Sequence, residues 1–188
     1  RRAFAAAIFD QHFIGRLPLP VGGIAGDASV RQKHRHATDF QPCAPIVTGI
    51  NGNAIARLLI ERGWQVHGLS RSPARMDGVQ PVPADLQDAA ATAEALKDID
   101  PDAVFVTTWL RRDTEAENIR VNGSMMRNLL GGLSKFGRPR HVALVTGLKH
   151  YLGPFEAYGR GRLPHTPFRE DQGRLDVANF YYAQEDEL

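Results

Sequence analysis

Apolar positions from about residue 44 onward follow two different periods, which alternate along the chain. Apolar residues at helical spacing predict helices, whereas short alternating or continuous apolar runs predict strands. The expected strands are residues 44–48, 64–69, 79–82, 103–107 and 141–145. The expected helices are residues 51–62, 89–97, 115–133 and 175–187. Strands that alternate with helices predict a parallel sheet with right-handed crossovers, so the expected fold class is α/β with a doubly wound sheet.

The first 43 residues have a different character. They hold six Lys or Arg residues and three acidic residues, and their two apolar runs, 3–9 and 17–21, show no sustained period. An arginine-rich, acid-poor start fits an organellar transit peptide slightly better than a secretory signal. We interpret residues 1–43 as a basic leader that is disordered or not native to the domain, and residues 44–188 as the domain itself. The cluster His34-Arg35-His36 falls in this leader and is interpreted as a solvated basic stretch.

Composition narrows the class of protein. The 188 residues are 43% apolar and 23% charged, and 23 basic and 21 acidic side chains give a formal charge of +2. This balance gives no reason to expect nucleic acid as a partner, and no apolar stretch is long enough to span a membrane. Cys43 is the only cysteine, which excludes an internal disulfide and a multi-cysteine zinc site. We therefore expect a cytoplasmic enzyme or binding domain with no metal.

A glycine turn between the first expected strand and helix is the first chemical signal. In Rossmann-like folds such a turn brings bare backbone to a pyrophosphate at the helix N-terminus. Gly49, Asn51 and Gly52 lie in this turn and are candidate cofactor-binding residues. The G-x-x-G-x-x-G pattern would also need glycine at position 46, where Ile46 stands after Pro45. A purely structural turn remains the alternative.

The ends of the next two expected strands supply further candidates. Ser70, Arg71 and Ser72 follow the second strand, which faces the adenosine ribose in this fold. An arginine between two hydroxyls suits the 2′-phosphate of NADP, although an exposed loop arginine would look the same. The pair Asp85-Leu86 follows the third strand, where it could meet the adenine or cap a helix.

The fourth strand ends in polar and aromatic side chains. Thr107 and Thr108 occupy its carboxyl end, where open α/β sheets bind ligands. Trp109 is either a pocket wall or a half-buried core residue. Asn122, in the long helix, is either a polar core residue that positions backbone or water, or an ordinary surface asparagine.

Two later runs carry a family resemblance. Residues 146–155 include Lys149-His150-Tyr151 and Gly153-Pro154-Phe155, and residues 179–186 begin Asn179-Phe180-Tyr181-Tyr182. With these runs the chain resembles the progesterone 5-beta-reductase and iridoid synthase family of atypical short-chain dehydrogenases/reductases. Further matching stretches are residues 49–52, 68–71, 106–109 and 114–122.

The resemblance implies an NADPH-dependent reductase of activated C=C bonds that acts on a small-molecule enone or enal. It implies that Tyr181 is the catalytic tyrosine, with Lys149 as its lysine. The usual Tyr-x-x-x-Lys motif is absent, because Glu185 stands four residues after the tyrosine. It also places Thr146 among the cofactor-binding residues and Trp109 and Phe155 in the substrate pocket. Tyr182 is the adjacent alternative to Tyr181.

Members of this family continue well beyond the tyrosine helix, so the resemblance implies a Rossmann-like domain that is C-terminally truncated. The alternative function is a non-catalytic nucleotide-binding remnant or an inactive fragment, motivated by Pro45 and Ile46. An extended dehydrogenase acting on nucleotide sugars is a third possibility, but it would need the missing Tyr-x-x-x-Lys. The sequence is compatible with a homodimer.

Overall fold

The computed structural model describes residues 6–8, 50–73, 75–136, 138–157, 160 and 165–188. The expected strand at 44–48, Gly49 and the cluster at 34–36 lie outside these residues. The strands are β1 Ala6–Ile8, β2 Val66–Ser70, β3 Val79–Pro83, β4 Ala103–Val106 and β5 His141–Leu144. The helices are α1 Ile50–Glu61, α2 Ala89–Leu96, α3 Glu115–Ser134, α4 Lys149–Leu152 and α5 Phe180–Glu185, with a short 3₁₀ turn at Phe155–Ala157.

The strands pair in parallel throughout the described sheet. β1 pairs with β2 and β2 with β3, while β4 pairs with β5. β1 also lies beside β4, which gives the spatial order β3-β2-β1-β4-β5. This is the strand order of a doubly wound dinucleotide-binding sheet, so the α/β, Rossmann-like prediction is confirmed.

The central strand was not predicted from the sequence. β1 comes from residues 6–8, inside the segment interpreted as a leader, and it sets Ala6 opposite His67 and Ile8 opposite Leu69. A short, continuous apolar run is typical of a strand in a parallel sheet. The apolar run 3–9 was noted in the sequence, but it was assigned to the basic leader, which explains why the strand was missed. The interpretation of residues 1–43 as a basic leader that is disordered or non-native stays a prediction.

Two hydrophobic clusters cover the two faces of the sheet. Ala103 and Val104 are successive residues of β4, yet the first packs in the cluster beneath α1 and the second in the larger cluster with α2 and α3. Side chains of a strand alternate between faces, so helices cover both sides. Helices α2 and α3 pack closely: a Cβ on Gly132 would lie 3.2 Å from Leu96 Cδ1.

The last helix is much shorter than expected. The apolar pattern predicted a helix over residues 175–187, but α5 begins only at Phe180. Asn179 has an extended backbone, with φ at −153°, and its side-chain oxygen accepts a hydrogen bond from Tyr181 N. Leu175 and Val177 are exposed and precede the helix. The prediction was wrong because the N-cap asparagine, not the apolar pattern, sets where the helix starts.

A half-buried histidine in β2 makes stability depend on pH. Burial lowers the pKa of His67 to about 4, from 6.5 in an unfolded chain. Between these two pH values the unfolded chain binds more protons than the folded one. The free energy of unfolding therefore decreases as the pH falls.

We therefore expect the contribution of neutral His67 to the free energy of unfolding to be fully present above pH 6.5 and to be lost as the pH drops towards 4. His67→Gln should flatten the decline of the thermal midpoint over this range while leaving the midpoint at pH 8 nearly unchanged. Differential scanning fluorimetry of both proteins at closely spaced pH values measures this. Parallel curves for the two proteins would contradict the assignment.

Candidate functional site

The carboxyl ends of β2, β4 and β5 lie along one edge of the sheet. Val145 N donates a 2.8 Å hydrogen bond to Val106 O, which extends the pairing of β4 and β5 one step past the strands. This contact brings the segments that follow β4 and β5 together. Ligands of open α/β sheets bind at this edge, so it is the candidate active site.

Three buried hydroxyls at this edge lack hydrogen-bond partners. Ser70 Oγ, Thr107 Oγ1 and Thr108 Oγ1 are shielded from solvent and have no partner in the described structure. An unsatisfied buried hydroxyl costs about 1–3 kcal/mol, and native folds rarely tolerate several together. All three are candidate cofactor-binding residues, and their unmet hydrogen-bonding capacity fits a polar ligand such as a dinucleotide.

For the other candidates around the expected pyrophosphate and ribose, the structure gives the position in the fold and the exposure. Asn51 is exposed and Gly52 is buried, both in the first turn of α1. Arg71 and Ser72 are exposed directly after β2. Their contacts with a cofactor remain predictions.

Asp85 and Leu86 do not cap α2. Asp85 Oδ1 accepts a hydrogen bond from Gln87 N at 3.0 Å, which closes a tight turn. Asp88 is the residue that caps α2, by accepting from the backbone of the first helical turn. Leu86 is 3% exposed, and its carbonyl accepts from Asn128 Nδ2 at 2.7 Å. This segment is therefore fixed in place beside β3, and its contact with adenine remains a prediction.

Lys149 opens the short helix α4 and is buried, with 2% exposure. Its Nζ lies 2.8 Å from Glu115 Oε2. The same nitrogen lies 4.5 Å from the ring centre of Phe155 and 5.2 Å from that of Phe180. Helix α4 ends at Gly153, whose φ of +77° favours glycine. The lysine thus sits in an aromatic enclosure with one carboxylate as its counter-charge.

Trp109 lies between the two rings that surround the lysine. Its ring centre is 5.6 Å from that of Phe155 and 5.0 Å from that of Phe180, with interplanar angles of 28° and 25°. The side chain is half-buried. The structure therefore brings the two predicted substrate-pocket residues, Trp109 and Phe155, into one aromatic stack.

Two buried asparagines of α3 hold the segment that carries Trp109. Asn122 is fully buried; its Oδ1 accepts from Leu110 N at 2.7 Å and its Nδ2 donates to Leu110 O at 2.8 Å. Asn118 Oδ1 accepts from Arg112 N at 2.6 Å. Of the two alternatives for Asn122, the structure supports a polar core residue that positions backbone.

The two adjacent tyrosines have different surroundings. Tyr182 is 8% exposed, and its hydroxyl donates to His150 O and accepts from Leu175 N, both at 3.0 Å. Tyr181 is half-buried, and a Cβ on Gly147 would lie 3.6 Å from its hydroxyl. The Tyr182 hydroxyl is therefore committed to two backbone groups, whereas the Tyr181 hydroxyl lies beside the loop that leads from β5 into α4.

Helices α4 and α5 are joined by the asparagine that caps α5. Asn179 Nδ2 donates to Lys149 O at 3.1 Å, and Asn179 Oδ1 accepts from Tyr181 N at 3.0 Å. One side chain thus ties the backbone of the predicted lysine to that of the predicted tyrosine. Thr146 is exposed one residue before Gly147, on the same loop.

Sequence reasoning missed Glu115, Asn118, Asn179 and Phe180 as parts of this site. Glu115 follows the capping residue Thr114, so its position indicated only an acid in the first turn of a helix. Asn179 precedes an apolar run and carried a recognisable N-cap signal. The aromatic contact of Phe180 with Lys149 had no local signal.

Residues 47–181 match the family model described as the NAD dependent epimerase/dehydratase family. The chain belongs to this family. Among curated relatives it is similar to (S)-8-oxocitronellyl enol synthase CYC2 of Camptotheca acuminata, at 40% identity over 76% of this chain and 39% of the relative. It is equally similar to a 3-oxo-Delta(4,5)-steroid 5-beta-reductase of Arabidopsis thaliana, at 40% identity over the same shares. These matches confirm the resemblance to the 5-beta-reductase and iridoid synthase family.

Solved structures agree on the fold. The Bordetella bronchiseptica enzyme WbmH, in complex with NAD+, superposes with a TM-score of 0.53 at 22% identity, over 76% of this chain and 48% of that one. The chain spans about two fifths of the length of the curated relatives it matches.

Within the described part of the chain, no three His, Cys, Asp or Glu side chains form a group that could hold a metal ion. No helix there has the length and apolar character needed to cross a membrane.

Removing the Asn122 side chain should destabilise the fold strongly. Asn122→Ala leaves the buried N–H and C=O of Leu110 without partners and also breaks the bond to Asn118 O. We expect a loss of about 2–4 kcal/mol in the free energy of unfolding, measured by urea denaturation. Asn128→Ala, which removes one half-buried bond to Leu86 O, should cost clearly less. Equal losses for the two variants would contradict this ranking.

Proposed function

We propose that this chain forms the cofactor and catalytic region of an NADPH-dependent reductase of activated C=C bonds, with a small-molecule enone or enal as substrate. One observation carries the proposal: the Tyr181 hydroxyl lies beside Gly147, two residues before the buried Lys149. The two segments come from distant parts of the sequence and meet at the ligand-binding edge of the sheet.

The phenol of Tyr181 is suited to stabilise negative charge on a substrate oxygen. When hydride adds to the β-carbon of an enone, charge accumulates on the carbonyl oxygen. A preplaced O–H donor stabilises that charge, as an oxyanion hole does. Tyr182 cannot take this role without breaking its two backbone hydrogen bonds.

Trp109 and Phe155 form the aromatic stack that we assign to the substrate pocket. Both side chains are only half-buried, and burial of their remaining apolar surface against the carbon skeleton of an enone would favour its binding. The names of the curated relatives support this substrate class, because a 3-oxo-Delta(4,5)-steroid carries its double bond in conjugation with its carbonyl.

NADPH, when bound, supplies the hydride for the reduction. Ser70, Thr107 and Thr108 would offer it their unpartnered hydroxyls. Asn51, Gly52 and Gly49 would approach its pyrophosphate, and Arg71 with Ser72 its 2′-phosphate. Asp85 and Leu86 would face its adenine, and Thr146 lies on the loop that leads to Lys149.

Two measurements on the chain test this function. Fluorescence titration should show NADPH binding at micromolar concentrations. NADPH oxidation should then follow addition of cyclohexenone, methyl vinyl ketone, progesterone or an enal. Binding without turnover would favour the alternative of a nucleotide-binding remnant, and no binding at high micromolar NADPH would refute the proposal.

Tyr181→Phe should lower turnover about 10²- to 10³-fold, because it removes the donor aimed at the developing oxyanion. The affinity for NADPH should stay nearly unchanged. Steady-state assays with NADPH titrations measure both quantities.

Tyr182→Phe is the matched control, since it removes a hydroxyl from the neighbouring position. It should cost stability, about 1–3 kcal/mol, through the unpaired His150 O and Leu175 N. Its turnover should remain within a few-fold of the unsubstituted chain. Loss of turnover in Tyr182→Phe together with normal turnover in Tyr181→Phe would reverse the assignment of the two tyrosines.

Arg71→Ala should weaken NADPH binding about tenfold or more while leaving NADH binding nearly unchanged. The reason is that only NADPH carries the 2′-phosphate that an arginine recognises. Parallel titrations with the two nucleotides measure this ratio, and Arg75→Ala, another exposed arginine nearby in sequence, is the control. Equal weakening of both nucleotides would remove Arg71 from 2′-phosphate recognition.

A further inference from the structure

Glu115 connects the lysine to the tyrosine helix through its two carboxylate oxygens. Oε2 lies 2.8 Å from Lys149 Nζ, and Oε1 accepts a 2.8 Å hydrogen bond from Phe180 N. The side chain is 11% exposed, and Asn118 Nδ2 donates to Oε2 at 3.4 Å. Each oxygen thus serves a different element: one serves α4 and the other the start of α5.

We infer that Glu115 is a positioning residue, which holds the Lys149 ammonium at a fixed place relative to Tyr181 by binding the lysine with one oxygen and the backbone of Phe180 with the other. The inference rests on the proposed function for its catalytic meaning, but the placement of the lysine is a property of the fold alone.

The surroundings of Lys149 explain why this carboxylate is needed. A charged amine with 2% exposure has lost most of its water, and two aromatic faces replace only part of that stabilisation. The guanidinium of Arg111 lies over the same Phe155 ring at 5.0 Å and adds a second positive charge to this stack. Among the ion pairs of the described residues, Lys149 takes part in the pair with Glu115, so Glu115 provides the counter-charge.

The link to Phe180 gives the carboxylate its second role. Phe180 is fully buried, and the residue after it is Tyr181. Because one rigid carboxylate group holds both Lys149 Nζ and Phe180 N, displacement of Glu115 would change the distance between the ammonium and the tyrosine backbone. Asn179 makes a similar link, but only to the lysine backbone, and so it cannot fix the ammonium.

Chemical labelling tests this placement without reference to catalysis. Brief acetylation of the folded chain, followed by peptide mass spectrometry, reports the reactivity of each lysine amine. Lys149 should react slowly in the unsubstituted chain and about tenfold or more faster in E115Q, since an ammonium without its counter-charge leaves the buried enclosure. The exposed Lys97 and Lys135 in the same sample give the rate for accessible amines.

E117Q is the matched control. Glu117 lies in the same first turn of α3, is exposed, and contacts Thr114 rather than the lysine. Lys149 should react as slowly in E117Q as in the unsubstituted chain. Equally slow labelling in folded E115Q would overturn the inference.

If E115Q fails to fold, the double variant E115Q/K149M decides the question. Replacing both members of a buried ion pair is far less costly than removing one. The double variant should therefore fold, as judged by circular dichroism. An unfolded double variant would show that Glu115 acts independently of Lys149 and would overturn the inference.

A double-mutant cycle of E115Q and K149M, measured by enone turnover, tests whether the placement of Lys149 by Glu115 matters for catalysis. E115Q should lower kcat about 10- to 100-fold with a small change in KM, because misplacement of a catalytic group by about 1 Å costs this much. In the K149M background, E115Q should change kcat by less than about twofold. Equal losses in both backgrounds would overturn the positioning role. Should the chain lack turnover altogether, the proposed function fails, while the labelling experiment still decides the placement of Lys149.

Discussion

The buried ion pair between Lys149 and Glu115 is the interaction on which the candidate site depends. Burial of two charges costs several kcal/mol for each ion, and their attraction offsets this cost only where further hydrogen bonds complete the pair. Glu115 accepts from Lys149 Nζ, Phe180 N and Asn118 Nδ2, so both carboxylate oxygens form hydrogen bonds. The pair thus joins α3, α4 and the start of α5.

The pair is one member of a polar row along α3. Glu115, Asn118 and Asn122 stand at i, i+3 and i+7, which places them on one face of the helix. Each side chain holds a stretch of backbone: Glu115 binds Phe180, Asn118 binds Arg112 and Asn122 binds Leu110. The same face continues along the helix as the core residues Leu129 and Leu133. A helix that looks like a core element in sequence is therefore also the frame that orients both walls of the site.

Much of the fold could be predicted because its elements repeat a period over many residues. Helix α3 and strands β2 to β5 lie within one or two residues of their expected bounds. β1 was missed because its apolar run, residues 3–9, was assigned to the leader, and α5 was overextended because the N-cap at Asn179 was not used to set its start. The residues of the site also differ in how far the sequence predicts them. Lys149 and Tyr181 stand in recognisable motifs, whereas Glu115 owes its role to contacts with residues 34 and 65 positions away, which local patterns do not encode.

The unpartnered hydroxyls at the sheet edge connect the fold to its function. Ser70, Thr107 and Thr108 lie on strand ends that the parallel topology brings to one edge, and Tyr181 and Lys149 belong to segments beyond β5 at that same edge. A crystal structure of the chain with NADPH would test the account most directly. We predict that the three hydroxyls form hydrogen bonds to the dinucleotide and that the Tyr181 hydroxyl and the Lys149 amine both face its nicotinamide end. A dinucleotide bound elsewhere, or a tyrosine and lysine that face opposite sides of the sheet, would contradict the account.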